Sequence, residues 1–233
     1  MLNTMKKTAI ALGLLLALSA GSVSFAQTTP SANSPASSAS AGAATFGSMS
    51  QEEFDRINKE GAAKVQAIKP TSAPLSTADQ ALMMQVAKGG MMQLAVSKLA
   101  VDNVTDEQVR KLAQSEVEEQ TGLSAKLKEI AAAKGFTLPA APDPQTDALL
   151  TKMKAMSGAE LDRFYVQESG VKGHEQLDKV MSSVKSGAKD AALKSLAAAA
   201  HPLVKTHLTV SRAMLAKMPA GSSTEAAGNS GNN

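Results

Sequence analysis

Two of the three histidines in this chain, His201 and His207, lie in the stretch AAAAHPLVKTHL, and the third, His174, lies in ESGVKGHEQL. Imidazoles ligate transition metals, carry protons near neutral pH or hydrogen-bond inside a core, so their surroundings decide their chemistry. Six residues separate His201 from His207, which at about 100° per residue sets them about 120° apart on a helix. They are therefore not an i, i+4 metal pair. The stripe Leu196, Ala200, Leu203 and Val204 turns His207 inward and His201 outward. Pro202 has no amide to bond the Ala198 carbonyl and should bend the helix within a turn or two of His207.

The same projection puts Gln93, Glu116, Gln120 and His174 at the centres of other apolar stripes, the one around His174 formed by Phe164, Val171, Leu177 and Met181. Glu116, His174 and His207 are the good ligands for a divalent or iron-type metal, whereas the amides of Gln93 and Gln120 are weak donors and count as core polar residues. Carboxylates and imidazoles recruited from facing helices are how bundle interiors hold metals. Measured along each helix from the turns that join the first long helix to the second and the third to the fourth, Gln93, Glu116 and His174 lie roughly 15–18 Å down, and Gln120 and His207 roughly 23–29 Å. One compact site must close that gap. Two readings follow: a network of buried polar groups bonded to one another and to water, or a metal site. No motif demands an organic cofactor, and no serine–histidine–acid set or phosphate loop stands at usable spacing.

Four long helical patterns must position these residues, over about 76–101, 105–134, 157–185 and 189–217, with turn signals at DNVT, GFTLPAAPDPQT and KSGAKD. A short helical piece at 149–156 leads into the third. Short first-to-second and third-to-fourth connections predict an all-α, up-down-up-down four-helix bundle over 76–218. An additional short amphipathic helix at 49–69 opens with Ser50 and Glu53 as a capping box and carries Phe54, Ile57, Val65 and Ile68 at helical spacing. The first long helix is apolar on its outer face too, at Met84, Met91 and Ala95, so that face should be covered by the short helix or by a partner. Its methionine pairs suit soft copper ligation but serve equally as gap-fillers. Tyr165 and the run EVEEQ (Glu116, Glu118, Glu119) read as packing and a solvated face.

Residues 1–26 pass from Lys6 and Lys7 through an apolar stretch to Ser24-Phe25-Ala26, the pattern of a secretory signal peptide cleaved before Gln27. Residues 27–48 read as a disordered linker and 219–233 as a disordered tail. Without the signal the 24 basic residues fall to 22 against 21 acidic, so the net charge drops from +3 to +1. That balance and the scarcity of aromatics argue against nucleic acid as a partner. No segment after the signal is apolar and long enough to be transmembrane. A periplasmic or secreted protein follows, with a protein or envelope partner possible; having no cysteine, it is stabilised by apolar burial rather than disulfides.

The stretches GGMMQLAVSKLA, VRKLAQSEVEEQTGLSAKL, LDRFYVQESGVKGHEQL and HPLVKTHL resemble a family of secreted bacterial ferritin-like bundles classed as a domain of unknown function and often labelled outer-membrane proteins. The resemblance covers about residues 76–217. In the family pattern a Glu stands at Gln93, Asp-His at Glu119-Gln120, Asp-His at Gly173-His174, and Pro with a later His-Leu at Pro202 and His207-Leu208. His174, Pro202 and His207 match, while Gln93, Gln120 and Gly173 each replace a metal-capable group. The resemblance implies a ferritin-like fold and an exported location. The resulting expectation is a non-catalytic binding or envelope-associated protein, with a metal-binding or metal-dependent redox protein using Glu116, His174 and His207 as the alternative.

Overall fold

The computed structural model describes residues 45–219. The expected signal segment, the expected linker up to residue 44 and the tail after Pro219 lie outside the described residues. The helices are α1 (Gln51–Gln66), α2 (Thr77–Asn103), α3 (Glu107–Ala133), α4 (Pro144–Lys154), α5 (Gly158–Tyr165), α6 (His174–Gly187) and α7 (Ala191–Lys217), with a π-helical stretch at Val166–Gly173 joining α5 to α6. Side-chain caps fix most of the starts: Ser50 accepts from the Glu53 amide, Ser76 from Asp79, Asp106 from Gln108 and Val109, and Asp190 from Leu193. Each satisfies amides that a helix start leaves open. The helix α7 runs unbroken through Pro202.

The chain is an all-α bundle, but its helix directions differ from the up-down-up-down expectation. The turn after α2 meets the start of the third long helix, where the Asp162 carboxylate accepts from the Thr105 amide (2.8 Å), the Thr105 hydroxyl (2.7 Å) and the Asp106 amide (3.0 Å). The turn before α7 meets the opposite end, where the Lys189 amide donates to Asp79 (2.8 Å) and Asp190 pairs with Lys134 (2.5 Å). So α2 runs up, α3 down, α5–α6 down and α7 up. The second connection carries α4 back along α2 and crosses the length of the bundle, which a turn-signal reading of GFTLPAAPDPQT does not reveal.

Three further expectations change. The hairpin β1 (Thr45–Phe46) and β2 (Met49–Ser50) occupies the end of the expected linker, because Phe46 is buried against Phe54 at 4.7 Å. Gly47, at φ +61°, packs so close to Val210 that a Cβ would lie 2.7 Å from its carbonyl oxygen. The helix α1 lies against α3 and α7 rather than against α2, which α4 flanks instead. In the third long helix, Tyr165, Val166 and Ser169 are buried while Phe164 and Val171 are only partly so. A π-helical stretch holds more residues per turn and rotates the inward face away from a uniform 100° projection.

The core falls into two apolar clusters. One gathers Met83, Val86, Leu127, Ile130, Met181, Leu193 and Leu196, and the other Val96, Val109, Leu112, Leu161, Tyr165, Val210 and Met214. On each long helix the gap between the two clusters is where the inward polar residues fall. A polar layer therefore crosses the bundle between two apolar ones.

Candidate functional site

The changed helix directions bring the polar layer to one level. Counted from the end at Thr105, Glu116 and Gln93 lie about 15–16 Å down, and His207, about 26 Å up a helix of about 40 Å, comes to about the same height. Gln120 and His174 follow within a turn. The expected height gap came from measuring both helix pairs from one end of the bundle.

Glu116 is the hub. Its Oε2 accepts from His174 Nε2 (3.0 Å) and His207 Nδ1 (2.7 Å), and its Oε1 accepts from Gln120 Nε2 (3.0 Å). Glu116 and His174 are each 1 % exposed and His207 is 0 % exposed. The imidazoles lie 5.5 Å apart, and Phe54 of α1 closes over His207 at 4.9 Å. Behind His174, the Nδ1 faces the Ser169 carbonyl at 3.0 Å, which also accepts from Gln93 Nε2 (3.2 Å), while Ser169 Oγ donates to Gln93 Oε1 (2.5 Å). The π-helical stretch thus supplies Ser169 to the site, a common placement for such bulges.

Burial pushes the Glu116 carboxyl up, but the charge and hydrogen bonds of the two imidazoles override it and hold its pKa well below the ordinary range. His174 is pulled down by burial and raised further by the Glu116 charge and hydrogen bond, with a net upward shift. His207 is pulled down by burial, only partly offset by Glu116, and the neighbouring His174 lowers it again. The two imidazoles share one carboxylate and move in opposite directions. A single ionised carboxylate in a buried layer balances one imidazolium, and the opposed shifts make His174 the ring that takes the proton more readily than His207. Burial and Glu116 also raise Tyr165, whose hydroxyl lies 3.0 Å from Ser97 Oγ.

Two site residues carried no site assignment in the sequence. Glu119, read as part of a solvated face, is buried at 8 % exposure, and burial followed by the Glu116 charge pushes its pKa well up. Its Oε2 lies 3.3 Å from His207 Nε2, close enough for a charge interaction but not aligned as a hydrogen bond, so both Glu119 oxygens lack a hydrogen-bond partner. Asn58 of α1 sets its Oδ1 2.9 Å from the same His207 Nε2, and its Nδ2 has no partner. Spacing carried both signals: Glu119 is i+3 from Glu116, and Asn58 sits on the Phe54–Gly61–Val65 stripe. His201, expected outward, is 5 % exposed and bonds Asp178 through Nε2 at 2.7 Å and lies 3.4 Å from Lys185 Nζ. It is buried because α6 packs along that flank of α7 while α1 and α3 take the others.

A match to the family described as domain of unknown function DUF4142 extends over residues 64–214, which takes in the whole polar layer except Asn58. The chain belongs to the DUF4142 family. No curated protein and no solved structure matches it. Within this DUF4142 chain, Glu116, His174 and His207 each offer one ligand atom, all within 4.8 Å of one another. Gln120 adjoins that group, whereas Gln93 stands behind His174 and orients it. Among the described residues no helix is long and apolar enough to cross a membrane.

Proposed function

We propose that this protein is a non-catalytic binding protein of ferritin-like type that holds one divalent transition-metal ion in its bundle core, with Glu116, His174 and His207 as ligands. The observation that carries this is the convergence of one carboxylate and two imidazoles from three helices. Three protein ligands of this kind are a common set for zinc and related ions.

The surroundings support the fit. An imidazole that binds metal through one nitrogen offers its other N–H to an oxygen acceptor. His174, ligating through Nε2, has the Ser169 carbonyl 3.0 Å from Nδ1; His207, ligating through Nδ1, has Asn58 Oδ1 2.9 Å from Nε2. Without a metal, both rings would have to be doubly protonated to use all these acceptors, which burial opposes. The complete enclosure of the three ligands favours holding an ion over turning over a substrate. When bound, the ion would supply the positive charge that balances Glu116 in place of a protonated imidazole.

An exported location belongs to the same reading and rests on residues 1–26. The test is metal content of protein purified from the exported fraction without chelator, together with its intact mass. One ion per chain, lost in His174→Ala and His207→Ala, and a chain starting at Gln27 are the expected results. Absence of metal at every purification, or a chain retaining Lys6 and Lys7, would overturn the respective part.

A further inference from the structure

The two ends of the bundle differ in charge. At the end where α3 finishes and α7 begins, Lys64, Lys69, Lys128, Lys189 and Lys194 are all exposed. Lys64 and Lys69 line a recess with Ala191, Ala192 and Ser195 at the start of α7, Lys189 and Lys194 flank that start, and Lys128 stands under about two turns before Lys134. The acids at this end are already engaged. Asp190 pairs with Lys134, both side chains being buried, Glu129 pairs with Lys126 at 2.6 Å, and buried Asp79 accepts from the Lys189 amide and the Ser76 hydroxyl. Among the described residues no acidic side chain forms an ion pair with any of the five exposed lysines. The opposite end mixes its signs, with exposed Lys152 and Lys154 near exposed Asp102, Glu107 and Glu160.

Like charges without counter-charges call for a polyanion, and the residue types narrow the choice. A single nucleic-acid strand needs aromatic faces to stack on, and Phe136 is the one aromatic among the described residues at this end. A protein partner is held by bidentate arginines and aromatic anchors seated in a pocket, whereas no arginine stands here and the lysines are spread over α1, α3, the turn before α7 and α7 itself. Partly buried Ile68, Phe136 and Leu138 pack on the core at the same end. Flexible lysine stems around such apolar tips match a fluid array of anionic headgroups, where the tips meet the acyl boundary and the ammonium groups meet phosphates. The recess between Lys64 and Lys69, about 360 Å³ with Thr71 and Ser195 in its wall, is of headgroup size.

We infer that this end of the bundle docks on an anionic phospholipid surface, with the long helices steep to the membrane plane. The surface is separate from the Glu116–His174–His207 cluster and does not depend on that cluster holding a metal.

The experiment is flotation of the exported protein with vesicles of phosphatidylcholine alone or containing about 30 % phosphatidylglycerol. Binding about 100-fold tighter to the anionic vesicles at about 0.1 M salt is expected, with release at about 1 M, where the screening length falls from about 10 Å to about 3 Å. Lys69→Gln with Lys189→Gln should weaken binding about 25-fold, at about fivefold per lysine, whereas Lys152→Gln with Lys154→Gln, which removes the same charge from the opposite end, should change it less than about twofold. All four side chains are exposed, and circular dichroism checks that both variants fold. An apolar segment retained from residues 1–26 would raise binding to both vesicle types and leave the contrast between the variant pairs intact. Equal affinity for the two vesicle types, or equal losses in the two variant pairs, would overturn the inference. So would displacement by millimolar inorganic phosphate at constant ionic strength, which would assign the recess to a free anion, or tighter binding to duplex DNA than to the anionic vesicles.

Discussion

Removing the carboxylate at Glu116 should destabilise the protein more than any other single change in the polar layer. The structure gives three donors to that group, from His174, His207 and Gln120, at 2.7–3.0 Å. Glu116→Ala leaves all three buried without an acceptor, at about 1–3 kcal/mol each, and strips the His174 cation of its partner. Against this stands the relief of no longer burying a carboxylate, worth several kcal/mol, so the net loss should be about 3–5 kcal/mol, the range for breaking a buried pair from one side. Urea unfolding followed by circular dichroism at neutral pH measures it, as a lower midpoint at unchanged slope. Glu116→Gln should recover little of the loss, because an amide accepts at one oxygen where the carboxylate accepts three bonds at two. A loss below about 1 kcal/mol for Ala, or parent-like stability for Gln, would refute the picture of an ionised hub.

The opposed pKa shifts give a signed pH dependence. Glu116 contributes stability that is present above about pH 4.3 and lost as pH falls through its lowered folded value; His174 contributes stability present below about pH 6.5 and lost as pH rises through its raised folded value. The alkaline-side decline in urea midpoint should therefore shrink in His174→Gln, leaving the parts due to Glu119 and, above about pH 10, Tyr165, whose raised pKa values act in the same sense; identical profiles would contradict the assignment of the cation. His201→Ala should cost about 1–2 kcal/mol, as a buried ring is lost from a partly exposed Asp178, and a cost under about 0.5 kcal/mol would return His201 to the surface. Gly61→Ala should destabilise by about 1–3 kcal/mol despite the better helix propensity of alanine, because its Cβ would lie 2.4 Å from Leu203 Cδ2 where α1 meets α7. Stabilisation instead would mean that α1 does not dock there.

Helix periodicity and caps made the four long helices and their inward polar residues legible, since each long helix buries a stripe whose interruption by Gln93, Glu116, His174 or His207 is visible in sequence. Direction was not legible. A turn-rich stretch such as GFTLPAAPDPQT reads the same whether it reverses the chain or carries it the length of the bundle, and the tertiary bonds of Asp162 and Asp79 decide between them. His201 failed for a related reason: projecting one helix shows a single buried face, but α7 has neighbours on several sides. Phe164 and Val171 were assigned inward by a uniform rotation that the π-helical stretch breaks. Glu119 was hidden in an acidic run whose neighbouring member, Glu118, does face solvent.

The most direct test of the central claim is calorimetric titration of chelator-treated protein with Zn²⁺ or Co²⁺. The account predicts one ion per chain, with loss of binding in His174→Ala and His207→Ala. Asn58→Ala should weaken affinity about 10–100-fold, because the acceptor that orients His207 is gone. Unchanged metal affinity in both histidine variants, or no binding by the parent protein, would contradict it and leave the polar layer as a hydrogen-bonded network between two apolar cores.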